Sequence, residues 1–265
     1  MRVPELLNGL QQGEVHVWTT DLSPHASLAA RAFLPEHERM RAERFLLPHV
    51  QAQYVGSRML LRRALSAYAG GQPVHWLFGA EPAGRPLALN LPAERHLLRF
   101  SLSHSADLAV CALAWGGELG IDVETAAPEG AEGDCEDAFT QRERANLQRD
   151  RRCSRPSRFL DYWTIKEALL KAHGSGLAGG MNRVEVTFPV ERGLGVRFDG
   201  AELDASKWQI WLQEPTGGGR CAIVRRSVDG AGPLPHLYSM NSDNGSACTT
   251  WRLISTGAGA ARPEI

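Results

Sequence analysis

Lysine is nearly absent from this chain of 265 residues, where it occurs only as Lys166, Lys171 and Lys207. All the remaining residues among the 29 lysines and arginines are arginine, and the formal net charge is −1. A balance this close to neutral gives no electrostatic reason to expect a nucleic acid or a membrane as partner. Two of the three lysines fall in one short segment, which marks that segment as a candidate site.

Long apolar runs and paired cysteines are also missing. No stretch approaches the ~20 apolar residues of a membrane span, and no apolar segment follows a basic start at the N-terminus, so we expect no signal peptide. The five cysteines are scattered and form no C-x-x-C pair, so neither a zinc site nor a disulfide framework is indicated. These absences predict a cytoplasmic protein with reduced thiols.

The order of elements, helices followed by strands, occurs twice along the chain and predicts an α+β fold. Helices are expected to open at Pro35 and Pro48, followed by strands at 74–78, 86–89, 98–103, 108–115 and 119–124. Two helices at 137–149 and 157–173 and strands from 183 to 226 are expected next. We therefore predict two similar halves, 1–117 and 118–239. Residues 240–265, rich in Ser, Gly, Asn, Ala and Thr, are predicted to form a disordered tail.

Residues 120–124 read G-I-D-V-E and alternate between apolar and acidic side chains. On a strand, this alternation puts Asp122 and Glu124 on one face and the apolar pair on the other. Carboxylates held this close repel each other unless a cation lies between them, and oxygen ligands of this kind suit Mg²⁺. An edge strand with a solvated acidic face is the simpler interpretation of the same pattern.

Residues 163–176 read W-T-I-K-E-A-L-L-K-A-H-G-S-G. The pattern predicts a helix that ends at Gly174, with Glu167 and Lys171 as neighbours on one face because they are four residues apart. A surface ion pair would explain that spacing. Lysine, however, is a compact charge that can approach a phosphate oxygen and exchange a proton, so the scarcity of lysine elsewhere favours a functional role.

The two segments together supply three carboxylates and a lysine. This set suits a Mg²⁺-bound pyrophosphate, because carboxylates hold the metal while lysine neutralises charge on the leaving side. A Mg²⁺-dependent nuclease could use similar groups. Nucleases of that kind, however, place Glu and Lys two residues apart on a strand, whereas Glu167 and Lys171 are four apart in a helical segment.

With G-I-D-V-E followed by W-T-x-K-E-A-x-x-K-x-x-G-x-G, the chain resembles the 4′-phosphopantetheinyl transferases. The resemblance is to the long single-chain type that activates peptide and polyketide synthetases and acyl carrier proteins, and it covers residues 30–225. Two less specific features agree with it. They are Gly84-Arg85-Pro86 followed by leucine, and the S-L-S-H-S run at 101–105.

The resemblance implies two α+β halves related by a pseudo-twofold axis, with the active site and coenzyme A in the cleft between them. It implies that Asp122, Glu124 and Glu167 bind Mg²⁺ and that Glu167 and Lys171 are catalytic, with Lys171 beside the attacked phosphate. The implied coenzyme-binding residues are Arg41, Gly84, Arg85, Pro86, Ser103, His104, Ser105 and Lys171, with His104 contacting the 3′-phosphate.

The implied reaction moves 4′-phosphopantetheine from coenzyme A to a serine of an apo acyl, peptidyl or aryl carrier protein and releases 3′,5′-ADP. A monomer could perform it, because both halves lie in one chain. The alternative is a degenerate relative that binds coenzyme A or a carrier without transfer. The complete set of chemical groups argues against that alternative.

Two further features fall outside these motifs. Gln53 stands where many relatives carry an arginine, so coenzyme binding could be weaker here or the contact could move to Arg58. A group of arginines between the two motifs forms either a solvated face or a dock for an acidic carrier domain. These are Arg142, Arg144, Arg149, Arg151, Arg152, Arg155 and Arg158.

Overall fold

The computed structural model describes residues 9–22, 30–82, 84–126, 136–152, 157–175, 180–188, 194–204, 207–226, 232–240 and 252–257. Four α-helices have their bounds within these ranges: α1 (Glu36–Ala42), α2 (Pro48–Ala69), α3 (Gln141–Arg152) and α4 (Ser157–His173). Short 3₁₀ turns occur at Pro73–His75, Ala93–Arg95, Glu136–Ala138 and Met181–Arg183. None of the described helices is long and apolar enough to span a lipid bilayer.

The described strands form two four-stranded sheets and two smaller ones. The strands are β1 (Val15–Asp21), β2 (Phe78–Ala80), β3 (Pro86–Ala88), β4 (Leu98–Ser105), β5 (Leu108–Trp115), β6 (Glu118–Glu124), β7 (Val184–Thr187), β8 (Gly195–Phe198), β9 (Ala201–Glu202), β10 (Trp208–Glu214), β11 (Arg220–Arg226), β12 (His236–Ser239) and β13 (Arg252–Gly257). The large sheets have the orders β12-β1-β5-β4 and β13-β10-β11-β6, beside the pair β2-β3 and the three strands β7-β8-β9.

Each large sheet carries a long helix on one face. Helix α2 begins at Pro48, whose fixed φ suits a first helical turn, and buries Leu61, Leu65 and Tyr68 against Trp18 of the first sheet. Helix α4 is packed in the same way on the second sheet, where Ile165 and Leu169 join its core. Burial of these apolar side chains is the main stabilising term in each half.

The other faces of the two sheets pack against each other. Val17 and Ala112 from the first sheet share one fully buried apolar cluster with Ile121, Trp211 and Ile223 from the second. This cluster explains the alternation in β6, because its apolar residues enter the core between the sheets while its acidic residues point away. The structure therefore confirms an α+β fold with two halves, each a sheet with a helix.

The two sheets also meet edge to edge, where β4 of the first lies beside β6 of the second. Serine side chains rather than a backbone ladder join these strands: Ser101 Oγ accepts the Ile121 N–H at 3.1 Å, and Ser105 Oγ accepts the Thr125 N–H at 3.1 Å. We call this line of contact, residues 101–105 against residues 121–125, the seam. At the seam, both halves supply polar groups to one site.

Most predicted elements are found, but the strand expected at 74–78 is wrong. Pro73 opens a 3₁₀ turn there, and β2 begins only at Phe78. Arg62 explains the difference, because its Nη1 takes the carbonyl oxygens of Pro73 and Trp76 at 2.8 and 2.9 Å. These side-chain hydrogen bonds hold residues 73–76 in the turn and compete with strand pairing.

The C-terminal segment also differs from its prediction as a disordered tail. Strand β13 pairs antiparallel with β10 and completes one edge of the second sheet, so the prediction fails for residues 252–257. Residues 241–251 and 258–265 lie outside the described residues. Strand β12, assigned by sequence to the second half, pairs in parallel with β1 of the first. The half boundaries at 117 and 239 remain a proposal.

Candidate active site

Helix α4 is in direct backbone contact with strand β6 at Gly120. A Cβ added to Gly120 would lie 1.9 Å from the Ala168 carbonyl oxygen and 2.6 Å from the Ala172 nitrogen. Only a residue without a side chain permits this approach. Glycine at this position therefore brings the polar side of α4, with Glu167 and Lys171, against the acidic strand.

Asp122 is buried at the seam, with 3% of its surface exposed. Its Oδ1 accepts hydrogen bonds from Lys171 Nζ at 2.6 Å and from Ser103 Oγ at 2.8 Å. Lys171 Nζ also donates to Ser103 Oγ at 3.0 Å and to the Ile121 carbonyl at 3.2 Å. A solvated acidic face is thus excluded for Asp122, and Lys171 pairs with the strand rather than forming a surface ion pair with Glu167.

Glu124 is held by the same serine run. Its Oε2 accepts a hydrogen bond from Ser105 Oγ at 2.7 Å. Ser103 and Ser105 point the same way because they are two residues apart on β4. The sequence interpretation gave these serines to the coenzyme and missed that their hydroxyls position the two carboxylates, a role that depends on which strand lies beside β4.

The pKa values of the three carboxylic acids are all raised. Burial raises the pKa of Asp122, against the opposing effect of Lys171, and burial also raises the pKa of Glu124. For Glu167, burial and then the nearby Asp122 carboxylate raise the pKa to about 7. Negative charge is therefore concentrated here at a cost that a bound cation would relieve.

The carboxylates fit a divalent cation without forming a fully assembled site. Oδ2 of Asp122 is buried and accepts no hydrogen bond from the described residues, so it is free to bind a metal. Oxygen donors of this kind suit a hard ion. Among the residues that the structure describes, however, the oxygen atoms of these three carboxylates are farther apart than the ligands of one metal ion. Lys171 Nζ neutralises Asp122 Oδ1 in this arrangement.

Lys166, the other lysine of the segment, has no place in this site. Its Nζ is fully buried and donates to Glu143 Oε2 at 2.6 Å and to the Ala138 carbonyl at 2.9 Å. Glu143 in turn accepts the Val186 N–H at 2.7 Å. Lys166 therefore links α4 to α3 and β7, and Lys171 is the one lysine of the segment for which a functional role is still predicted.

The residues expected to bind the coenzyme are brought towards the seam to different degrees. Arg85 follows Gly84, whose φ of 91° favours glycine, and its Nη1 reaches the Ala172 carbonyl at the end of α4 at 3.4 Å. Pro86 opens β3. His104 is exposed between the two serines, and its partial desolvation together with the Lys171 charge lowers its pKa.

Arg41 and Arg58 lie apart from this group. Arg41 is exposed with its guanidinium 5.5 Å from the Tyr54 ring centre, and no contact among the described residues joins it to the carboxylates. Arg58 donates through Nε to the buried Glu38 at 2.7 Å. The expected move of a coenzyme contact from Gln53 to Arg58 is therefore not supported, because Arg58 already neutralises Glu38.

A cluster of carboxylates with one lysine, where two α+β halves meet, is typical of enzymes that transfer phosphate-linked groups with a divalent cation. Comparison with known families agrees. Residues 118–224 match the 4′-phosphopantetheinyl transferase superfamily, and residues 18–115 match the N-terminal part of 4′-phosphopantetheinyl transferases. The boundary between the two matches falls just before β6.

Individual relatives point the same way. The 4′-phosphopantetheinyl transferase HetI of Nostoc sp. is 37% identical over 172 residues, which are 64% of this chain and 72% of that protein. AcpT of Salmonella typhimurium is 31% identical over 140 residues, 52% of this chain and 67% of that protein. A 4′-phosphopantetheinyl transferase of Bacillus subtilis is 31% identical over 120 residues, 45% of this chain and 51% of that protein.

The chain therefore belongs to the 4′-phosphopantetheinyl transferases, of the long type in which both halves lie in one polypeptide. It is an enzyme that uses coenzyme A and transfers phosphopantetheine to carrier proteins. The alternative of a relative that binds without transfer finds no support in these comparisons.

Proposed function

We propose that this enzyme transfers 4′-phosphopantetheine to the serine of an apo acyl, peptidyl or aryl carrier protein by Mg²⁺-dependent chemistry at the seam. The observation that carries the proposal is the ion pair between Lys171 Nζ and the buried Asp122 Oδ1 at 2.6 Å, with Glu167 on the same helix. This ion pair places the Lys171 ammonium, which can bind a phosphate, beside the carboxylates that can bind Mg²⁺, and phosphopantetheine transfer requires both.

Asp122, Glu124 and Glu167 are the residues that would hold Mg²⁺. A bound Mg²⁺ supplies charge neutralisation and orientation for the pyrophosphate of coenzyme A. The unpartnered Oδ2 of Asp122 and the raised pKa of Glu167 support this assignment. Ser103 and Ser105 hold two of the three carboxylates in position.

The chain's own groups then perform the proton transfers. The serine hydroxyl of the carrier attacks the phosphorus that bears pantetheine, and the bond from this phosphorus to the oxygen of the leaving 3′,5′-ADP breaks. Glu167 accepts the proton of the attacking hydroxyl as general base. Lys171 Nζ donates a hydrogen bond to the leaving oxygen, because a compact ammonium can exchange Asp122 for a phosphate oxygen.

Binding of coenzyme A is assigned to Arg85, His104 and the backbone around the serines. Arg85 pairs with the partly exposed Glu81 at 2.7 Å and lies against the last turn of α4, so a phosphate that replaced Glu81 would lie close to Lys171. A guanidinium fork suits a phosphate. His104 is exposed beside the seam, and a bound 3′-phosphate would raise its lowered pKa and favour the charged ring.

A substitution at Glu167 tests the catalytic assignment. Glu167→Gln should lower kcat by about 10²- to 10⁴-fold, the usual contribution of a general base, while the KM for coenzyme A changes by less than about threefold. Glu94→Gln, at an exposed carboxylate on a 3₁₀ turn, is the matched control and should leave both constants unchanged. Near-normal turnover of Glu167→Gln would remove Glu167 from the mechanism.

The arginines between the two motifs are proposed to receive the carrier, although fewer of them qualify than the sequence suggests. Arg158 lies 4.1 Å from the Phe188 ring centre and pairs with Asp161 at 3.3 Å, so it belongs to the fold. Arg155 and the side chains of Arg151 and Arg152 lie outside the described residues. Arg142 and Arg149 are exposed on α3 and can face an acidic carrier domain.

Reversing both exposed charges tests this dock. Arg142→Glu with Arg149→Glu should raise the KM for carrier about tenfold and leave the KM for coenzyme A unchanged, because rim charges act mainly on association of the partners. If the KM for carrier is unchanged, these arginines form only a solvated face of the helix and do not bind the carrier.

Oligomeric state, compartment and carrier class can also be inferred. We infer that it acts as a monomer in the cytoplasm on carriers of fatty-acid, polyketide or peptide synthesis. Both sides of the seam come from one chain, which supports the monomer. Cys111 and Cys221 are free thiols in the described part of the chain, as expected for a reducing compartment.

A further inference from the structure

Glu14, His16 and His236 form a second cluster of metal-binding side chains, which the transfer reaction does not use. His16 on β1 and His236 on β12 are direct cross-strand partners in the parallel pair. Glu14 lies two residues before His16 and therefore points to the same side of the chain. The register of two short strands thus brings together donors that are 220 residues apart in sequence.

The donor atoms are close to the spacing that a metal ion needs. His16 Nε2 lies 3.4 Å from Glu14 Oε2, and His236 Nε2 lies 3.7 Å from Glu14 Oε1. One donor atom from each residue lies within 4.8 Å of the other two, which holds for no other group of three in the described part of the chain. Ligands at ~2.0–2.1 Å from a tetrahedral Zn²⁺ are about 3.4 Å apart, so only small side-chain movements are required.

His16 is also oriented as metal-binding histidines are. Its ring is buried, and Nδ1 lies 2.8 Å from Tyr68 Oη, which accepts a hydrogen bond from Trp18 Nε1 at 2.9 Å. When Nδ1 donates to Tyr68, the lone pair of Nε2 faces Glu14 and His236, and such a second contact fixes the tautomer of a ligand.

We propose that Glu14, His16 and His236 bind one Zn²⁺ ion, with a fourth position open to water. Two imidazole nitrogens and one carboxylate oxygen suit Zn²⁺ or a similar transition metal rather than Mg²⁺. Glu14 is partly exposed and His236 is 49% exposed, so an ion can enter from solvent. The missing C-x-x-C pair excludes only a thiolate zinc site, because the donors here are imidazole and carboxylate.

The ion would serve as a clamp and not as a second catalytic centre. Ser103, which holds Asp122, aligns through Val110 with Thr19, and the side chains of Thr19 and His16 point to opposite faces of β1. Three residues of strand, about 10 Å at ~3.3 Å per residue, also separate these two positions. Zinc would instead tie β12 to β1 and stabilise the folded chain, because an ion that binds only the native state shifts the folding equilibrium.

Zinc titration of the full chain tests the clamp. The protein is freed of metal with a chelator and titrated with Zn²⁺ against a chromophoric zinc indicator, with excess Mg²⁺ present to occupy the oxygen-only carboxylates of the seam. Wild type, His236→Ala and the matched control His75→Ala, at another exposed histidine, are compared. Coenzyme A and carrier are left out, so the result does not depend on the proposed transfer mechanism.

We expect wild type and His75→Ala to bind one equivalent of Zn²⁺ with the same affinity, and the thermal midpoint of both to rise with Zn²⁺. His236→Ala should bind at least about tenfold more weakly, since even groups that only orient ligands contribute about that much. Its exposed position should let it fold, which near-UV circular dichroism verifies. Equal zinc affinity of His236→Ala and wild type, or no binding by wild type, would overturn the proposal.

Discussion

Replacing Lys166 by methionine should destabilise the protein severely, although the change keeps the length and apolar stem of the side chain. Lys166 Nζ and Glu143 Oε2 are 2.6 Å apart, and both side chains have no exposed surface. Removing one partner of such a pair leaves a buried charge without compensation, which costs about 3–5 kcal/mol. In a chain of this size that corresponds to a melting temperature lower by about 6–20 °C.

Lys171→Met provides the contrast on the same helix. Lys171 is 30% exposed, so water can replace part of its pairing with Asp122, which also keeps its hydrogen bond from Ser103. We therefore expect a smaller loss of unfolding free energy than for Lys166→Met. Turnover, however, should fall steeply. Urea denaturation followed by circular dichroism gives both stabilities, and initial rates of carrier modification give the activity.

A double substitution completes the test. Lys166→Met with Glu143→Gln removes both charges and should be less destabilised than the sum of the two single changes, because contacting residues couple. The reasoning fails if Lys166→Met alone lies within about 0.5 kcal/mol of wild type, or if the double variant shows no coupling.

Two further predictions concern the backbone at β6 and the buried histidine. Gly120→Ala would put a Cβ 1.9 Å from the Ala168 carbonyl oxygen, so it should destabilise by more than about 2 kcal/mol and reduce turnover by shifting α4; wild-type urea midpoints and rates would contradict it. With chelator present, burial lowers the pKa of His16 from 6.5 to about 4 in the folded chain, so between these pH values only the unfolded chain takes up a proton. The contribution of His16 to the free energy of unfolding is therefore complete above pH 6.5, and up to about 3 kcal/mol of it is lost by pH 4. His16→Asn should lose less unfolding free energy over that range in urea titrations, and an equal loss would refute the assignment.

The sequence indicated the chemistry of the seam but not how the seam is built. Alternation in 120–124 and helical spacing in 163–176 predict which side chains share a face, because both are local properties of the backbone. Gly120 looked like an ordinary motif glycine. Its function as the contact between β6 and α4 depends on which helix packs on which strand, which local patterns do not contain.

Lys166 also shows that local sequence patterns do not identify long-range partners. Its rarity as a residue type was a real signal, but the partner that explains it, Glu143, is 23 residues away and on another helix. The β12 and β13 strands were missed because their pairing with β1 and β10 is long-range, and composition alone suggested a tail after residue 239. Strand formation in such segments depends on a partner edge more than on propensity.

Intact-mass spectrometry of an apo carrier protein incubated with this enzyme, coenzyme A and Mg²⁺ tests the central claim most directly. Wild type and Lys171→Met are compared, each with and without a chelator of divalent cations. The account predicts that the carrier gains one phosphopantetheine, about 340 Da from the covalent composition of the group, only with wild type and only in the presence of metal. Absence of this gain on acyl, peptidyl and aryl carriers, or full modification by Lys171→Met, would contradict it.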